Sequence, residues 1–518
     1  MQTISNYSHS WKSLIFPLAQ AGFLALAVLA GFPLSSAAAP APLVKMKVAE
    51  YQNRLDCRMP DGGTWKLGLA SGVIDGRSAV SITGSISQPA RKRFHVMVES
   101  APMRDPGKME AALQRWQATG RPIHSFKAGK ISYQDDGKTI SWDGRVLFIG
   151  VGLFDERKAA TKLVDELAGL GSSSWILEEV LSKTRGTLSL QINGKQVASG
   201  NSDLHLVPAG MIELKNVEFA RGYAWHGFAT RSFRGPVTIA WGAQDAMDTV
   251  FQTDLETILA GVVPSEISSN AAPPALQAQA VAARGEILSK MGLRHIGEGF
   301  DFCAEQHCQV YAGETAASRK LETLIAPTSG MLLKNSEGAI VDAVYAANCG
   351  GHGEANHLVW TSPPDPQLSG VWDTSEHPPR LDLTKEKDVT LFIRTPPKCW
   401  CGDASVEGGD KFRWRKSLSK AAWKKVEEMA DVGRISDVTN LERGPSGRLY
   451  KITLKGENGT KTVMKELAIR KLFGGLRSAC FVADWKRDAM GYLIGAEFIG
   501  AGWGHGVGMC QTGAQAMA

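Results

Sequence analysis

Glu266 stands near the end of a largely apolar run, LETILAGVVPSEI, in which Leu255, Ile258, Leu259 and Val262 recur at helical spacing and Pro264 is the expected stop. Thr253 and Glu256 stand in capping-box spacing at its start. A carboxyl group on the exit loop of such a helix sits where working residues often lie. If its apolar neighbours Val262, Val263 and Ile267 exclude water, its pKa rises and it can donate a proton near neutral pH. On an open loop it would stay solvated and ionised.

Cys303, His307 and Cys308, followed by Cys349 and His352, supply the ligand types of a zinc site. The same cysteines could form disulfides in an oxidising compartment or stay free thiols, and their spacing does not choose among the three. Arg284, in AVAAR, offers a planar fork for a carboxylate of a ligand or of an acidic neighbour. The glycines of GWGHGVGMCQTG suggest a nucleotide loop, but the strand, helix and acidic partner of such a loop do not follow. They would instead let the backbone approach a groove, with Trp503 or His505 in its wall. Tyr311, in CQVY, is a third groove candidate, and core packing is the other reading for all three.

The elements that must position these residues can be read in outline. A chain of 518 residues exceeds what one core usually supports, and 43% hydrophobic with 21% charged residues is an ordinary globular composition. The net charge of +6 comes without a concentrated Lys/Arg run, so nothing indicates nucleic-acid binding. Residues 13–44 lack charge, with an apolar stretch Phe23 to Leu29 and small residues at Ala37, Ala38 and Ala39, the pattern of a secretory signal over residues 1–39 or of an uncleaved membrane anchor. From Val44 to Pro89 apolar and polar residues alternate as in short strands. FHVMVES with KMEAALQRWQATG, and LFIGVGLF with KAATKLVDELAGLG, are two strand–helix units at a period of 51 when Gly120 is set on Gly171. The second helix should bury Ala159, Leu163, Leu167 and Leu170. Strands resume from Gly186 to Ile239. Beyond the Glu266 helix, another should start near Pro273 and Pro274 and bury Leu276, Ala280, Ala283 and Ile287.

Taken in order, LETILAGVVPSEI, PPALQAQAVAARGEIL, FDFCAEQHCQVYAG, AVYAANCGGHGEANHLVW, LERGPSGRLYKITLKG, KELAIRKLFGGLRSACF and GWGHGVGMCQTGAQAMA closely resemble the blocks of the stage II sporulation protein D family, which includes the amidase enhancers. The resemblance covers roughly residues 235–518. It implies a lytic transglycosylase that cuts peptidoglycan glycan strands lacking stem peptides, with Glu266, of VPSE, as its acid. One carboxyl group suffices for that chemistry, because the C6 hydroxyl of the sugar, and not water, closes onto C1. Arg284 could then bind the lactyl carboxylate of an uncapped muramic residue, and Gln277 or Gln279 sugar hydroxyls. Some relatives bind zinc through residues of the Cys303 type, so the resemblance implies a structural metal at most and no cofactor for the chemistry. The unit from 147 to 180 resembles the sporulation-related repeat, a glycan-binding module; a packing unit without ligand is the alternative. GEIL stands where relatives commonly show an aromatic, and Thr512 where they often have Trp.

The expected fold is thus α+β: a β-rich N-terminal region at 40–234 with strand–helix repeat units, then a C-terminal α+β catalytic domain at 235–518 with a substrate groove. The expected setting is the periplasm or cell envelope, and the expected partners are glycan strands and a cell-wall amidase. The rival reading is a non-catalytic wall-binding protein that stimulates such an amidase.

Overall fold

A computed structural model describes residues 42–133, 140–222, 225–360, 362–374 and 376–518. The signal or anchor expected over residues 1–39 falls outside these residues. Among the described residues no helix is long and apolar enough to cross a membrane. The fold is α+β, with strands dominating the first half.

Leu43–Tyr51 shows how the sequence pattern builds the first sheet. Val44, Met46 and Val48 alternate inward, and the register shifts between Lys47 and Ala49, where a bulge turns the next pair of side chains. This strand pairs antiparallel with Met247–Asp254 and parallel with the short edge Phe302–Cys303, in a seven-stranded sheet completed by 237–241, 204–208, 63–67 and 70–74. The boundary expected near residue 235 therefore lies inside one sheet. A six-stranded sheet (195–200, 185–192, 80–88, 54–58, 212–219, 227–233) shares its core, and the two close over Leu55, Ile82, Leu190, Phe233 and Phe251.

The two strand–helix units form one four-stranded sheet, ordered 175–182, 91–102, 146–154 and 124–128, with helices Pro106–Gln117 and Arg157–Gly169 packed on it. In the second helix Ala160 and Leu167 are buried and Leu163 is partly so, but Leu170 is exposed. The helix has ended at Gly169, so Leu170 no longer continues the buried stripe. The last third of the chain adds two three-stranded sheets around Trp423, Phe473 and Phe498, with helices Lys420–Ala430 and Glu466–Leu472.

The Met247–Asp254 strand runs straight into the helix Leu255–Glu266. Its N-cap is Asp254, not Thr253: the Asp254 carboxylate accepts from the Thr257 amide at 3.0 Å and its hydroxyl at 2.7 Å. Nor does Pro264 stop the helix. Proline removes one amide from the last turn, but Ser265 Oγ donates to the Gly261 carbonyl at 2.9 Å and the Ile267 amide to Val263 at 3.0 Å. The helix closes one residue after Ser265, on Glu266 itself. The next helix, Pro273–Lys290, opens with both prolines in its first turn and buries Leu276, Ala280, Ala283 and Ile287, as the spacing required.

Tyr311 crosses the Leu255–Glu266 helix at Gly261, and a methyl group at Gly261 would overlap the tyrosine ring. That ring lies parallel to Phe251 and tilted to Phe233, with little exposure, so Tyr311 is core and not groove. Helix propensity favours alanine over glycine by about 1 kcal/mol. Gly261→Ala should nevertheless lose about 1–3 kcal/mol, because a packed ring must move. Denaturant midpoints with an unchanged m-value test this; a higher midpoint in the variant would show that the ring yields freely.

Candidate functional site

Glu266 is half-buried at the end of its helix, and one carboxylate oxygen accepts from the Val310 amide at 3.2 Å. Burial pushes its carboxyl from 4.5 up to about 7; the Val310 N–H opposes the shift and the charge of Glu286 adds to it. Glu286 belongs to a polar network of side chains, and Val310 follows one of its members, Gln309, in sequence. Gln309 donates to Glu286 at 2.6 Å, and Tyr345 donates its hydroxyl to Gln309. Glu286 in turn pairs with Lys290 at 2.6 Å. Tyr345 lies near enough to Glu266 for that charge, after burial, to raise the phenol well above its ordinary value.

The backbone at Glu266 is fixed from the far end of the chain. Gln511, in the first turn of the helix Gln511–Met517, donates to the Glu266 carbonyl at 2.9 Å and to Gln279 Oε1 at 3.1 Å. Gln279 is fully buried there, and its amide nitrogen has no partner among the described residues. A parallel bridge of Tyr345–Ala346 with Met509–Cys510 brings that terminal helix into place.

The other expected substrate contacts divide. Arg284 is 1% exposed and makes a two-pronged pair with Glu256, at 2.9 and 2.7 Å, while a third nitrogen donates to Met331 O at 3.1 Å. Its fork is used up by the fold, and the substrate role expected for it is withdrawn. Gln277 donates to the Leu324 carbonyl at 3.1 Å and ties two helices together, which also removes it from a sugar subsite. Trp503 is half-buried, pairs through its backbone with Asn348 and faces the cations of Lys411 and Arg477. His505 sits on Trp360, ring centres 4.9 Å apart, and its Nδ1 accepts from the Val507 amide at 3.0 Å. Burial, then the Arg448 charge, holds it neutral, down to about 3; a bond to the Tyr345 backbone opposes this and ties it to the network that includes Tyr345. Thr512 is buried with its hydroxyl on Ala347 O at 2.7 Å.

One cluster was expected from Cys303, His307, Cys308, Cys349 and His352; the structure forms two groups and leaves His352 out of both. In the first, the donor atoms of His295, Cys303, His307 and Cys308 all lie within 4.8 Å of one another. Cys308 Sγ is 3.2 Å from His295 Nε2 and 3.3 Å from His307 Nδ1. His295 turns its other nitrogen to Glu298 at 2.9 Å, the outer carboxylate that orients a ligating imidazole. Two cysteines and two histidines so held fit zinc, which would brace the Phe302–Cys303 edge against its loop. The spacing of His295 and Glu298 was the signal for this fourth ligand, hidden in a glycine-rich stretch. Cys349 lies instead with Asp373, Cys401 and Cys510, carried there by the bridge beside Tyr345. His352 is buried edge-on to Trp372, with Nδ1 bonded to Gly353 O at 2.6 Å; burial keeps it neutral, down to about 4.

An open cleft of about 1060 Å³ runs past the first cluster. His295 and His307 form part of its wall, together with Phe148 and Trp175 of the strand–helix module and with Trp360 and Lys465; Glu266 is not in its wall.

These features define an α+β protein with a recessed, protonatable carboxyl at a helix end and a separate cluster of two cysteines and two histidines. Residues 243–334 match the stage II sporulation protein family, and residues 354–508 match a domain of unknown function, DUF8618. The chain is similar, over about half of its length, to stage II sporulation protein D and to an amidase enhancer. It is 28% identical over 277 residues to an amidase enhancer of Bacillus subtilis (strain 168), a match spanning 50% of this chain and 37% of that protein. It is 27% identical over 290 residues to the stage II sporulation protein D of the same organism, covering 53% and 71%, and 27% over 281 residues to that of Bacillus amyloliquefaciens, covering 51% and 68%.

The raised carboxyl gives a stability test. Between about 4.5 and about 7 the folded chain keeps a proton on Glu266 that the unfolded chain has released, so the stability from this group falls as pH rises through that window. Glu266→Gln stays neutral throughout. The variant should gain on wild type by up to about 3 kcal/mol between about pH 5 and about pH 8. Thermal midpoints of both proteins at the two pH values check this, and a difference independent of pH would mean that the carboxyl titrates as it does in water.

Proposed function

We propose that this chain is a lytic transglycosylase of peptidoglycan glycan strands, acting in the envelope on strands stripped of stem peptides. The observation that carries the reading is the Glu266 carboxyl, lifted to about 7 by burial on a residue that keeps part of its surface exposed. Near neutral pH such a group is present in both forms, as a reaction that first gives and then takes a proton requires.

Protonated, Glu266 donates to the glycosidic oxygen as the C1–O bond breaks and the sugar becomes an oxocarbenium ion. The resulting carboxylate, steadied by the Val310 amide, removes the proton from the C6 hydroxyl. The C6 oxygen closes onto C1, giving a 1,6-anhydro end and a regenerated acid. No second carboxylate nucleophile and no water enter. Glu286 is engaged by Gln309 and Lys290, which leaves it to tune Glu266 through its charge. The Cys303 group, with zinc bound, would supply rigidity and no bond-making step. Phe148 and Trp175 place the strand–helix module on the cleft, which supports a glycan-holding role for residues 147–180.

A second reading has a specific basis, since one relative is named an amidase enhancer. In it the chain binds the wall and stimulates an amidase without cutting glycan. Incubating purified protein with amidase-treated glycan and analysing products by mass spectrometry separates the two. Wild type should release 1,6-anhydro ends, and Glu266→Gln should be slower by about a hundred- to ten-thousand-fold with binding little changed. Equal rates would remove Glu266 from the chemistry. No anhydro product, with a faster amidase, would establish the second reading.

A further inference from the structure

The group left over from the first cluster has no part in the proposed reaction, yet it has the makings of a site. We propose that Cys349, Cys401, Cys510 and Asp373 bind a second zinc ion, independent of the Cys303 group. The four donor atoms lie within 4.8 Å of one another, and Cys349 Sγ is 3.6 Å both from Cys401 Sγ and from Asp373 Oδ2. A tetrahedral zinc with bonds to sulfur near 2.3 Å needs edges of about 3.8 Å. A disulfide needs about 2.0 Å between two sulfurs and would leave the third thiol and the carboxylate unused.

The surroundings are those of thiolates. Cys510 Sγ accepts from the Cys349 amide at 3.2 Å and from the Gly513 amide at 3.3 Å, and Cys349 Sγ from the Gly351 amide at 3.4 Å. Gly350 and Gly351 both have positive φ, so the chain doubles back and turns these amides toward sulfur. Asp373 Oδ2 accepts from the Cys401 amide at 2.9 Å, which fixes the carboxylate facing the sulfurs. Amide donors aimed at two sulfurs beside a carboxylate favour negative charge at one point, and that charge is costly unless a cation shares the site. Cys399 lies close by, its sulfur near Gly351 O at 3.9 Å, and is not one of the four donors.

The ligands come from four stretches: the loop after Tyr345–Ala346, the turn bridging His352 to Trp372, the short helix Trp400–Gly402 and the cap of the terminal helix. Cys510 immediately precedes Gln511, the residue that holds the end of the Glu266 helix. The ion would therefore brace the support of the acid from behind without touching substrate.

Zinc content and sulfur coordination of the full chain, purified with zinc, test this apart from any enzymatic activity. Cys303→Ser/Cys308→Ser should keep one zinc per chain, with an X-ray absorption spectrum of three sulfurs and one lighter donor, and adding Cys401→Ser/Cys510→Ser should remove it. If the first variant does not fold, wild type should hold two zinc ions per chain with more sulfur around each, on average, than the two that the Cys303 group offers. The proposal fails if the Cys303→Ser/Cys308→Ser protein folds and holds no zinc, if that protein does not fold and wild type holds a single zinc with no more than two sulfurs around it, or if peptide mapping finds Cys349 disulfide-bonded to Cys401.

Discussion

The side-chain amide of Gln511 is the interaction on which the site depends. By donating both to the Glu266 carbonyl and to Gln279, it ends one helix, engages a buried amide in the next and anchors a third element across 245 positions of sequence. A helix end leaves carbonyls without partners, and burying them unpaired is expensive. Here one such carbonyl is satisfied by a residue 245 positions further along the sequence. The acid can then be half-buried without fraying, and burial is what gives it a proton near neutral pH.

Local sequence carried much of this. The apolar spacing of Leu255, Ile258, Leu259 and Val262 located the helix, and Pro273 with Pro274 located the start of the next, because both signals act within one or two turns. Pro264 does not stop the helix, because it falls in the last turn, where a missing amide costs one hydrogen bond and the chain needs to continue for only two residues. Asp254 displaced Thr253 as the cap for a similar reason: whether an oxygen reaches the third amide depends on where the preceding strand delivers it.

What spacing could not show were pairings made at long range. Arg284 meets Glu256 28 positions away, and that neighbour decides that its fork is structural. Tyr311 has the residue type of a groove wall but meets Phe251 and Gly261 instead. The cysteines are the clearest case: Cys303 and Cys349 looked like members of one set, and a two-residue parallel bridge sends the second to Cys510. That bridge is too short to leave any periodic mark.

The dependence on Gln511 also bears on the order in which the molecule can be made. A chain appears from its N-terminus during synthesis, so the Glu266 helix exists long before the residue that holds its end. Until then the Glu266 carbonyl at the helix end lacks this partner. Contacts of such sequence separation also form late and slowly. The Glu266 carbonyl and the Gln279 side chain would then be among the last groups of this site to find their partner, and a chain without Gln511 would leave the helix end short of one hydrogen bond.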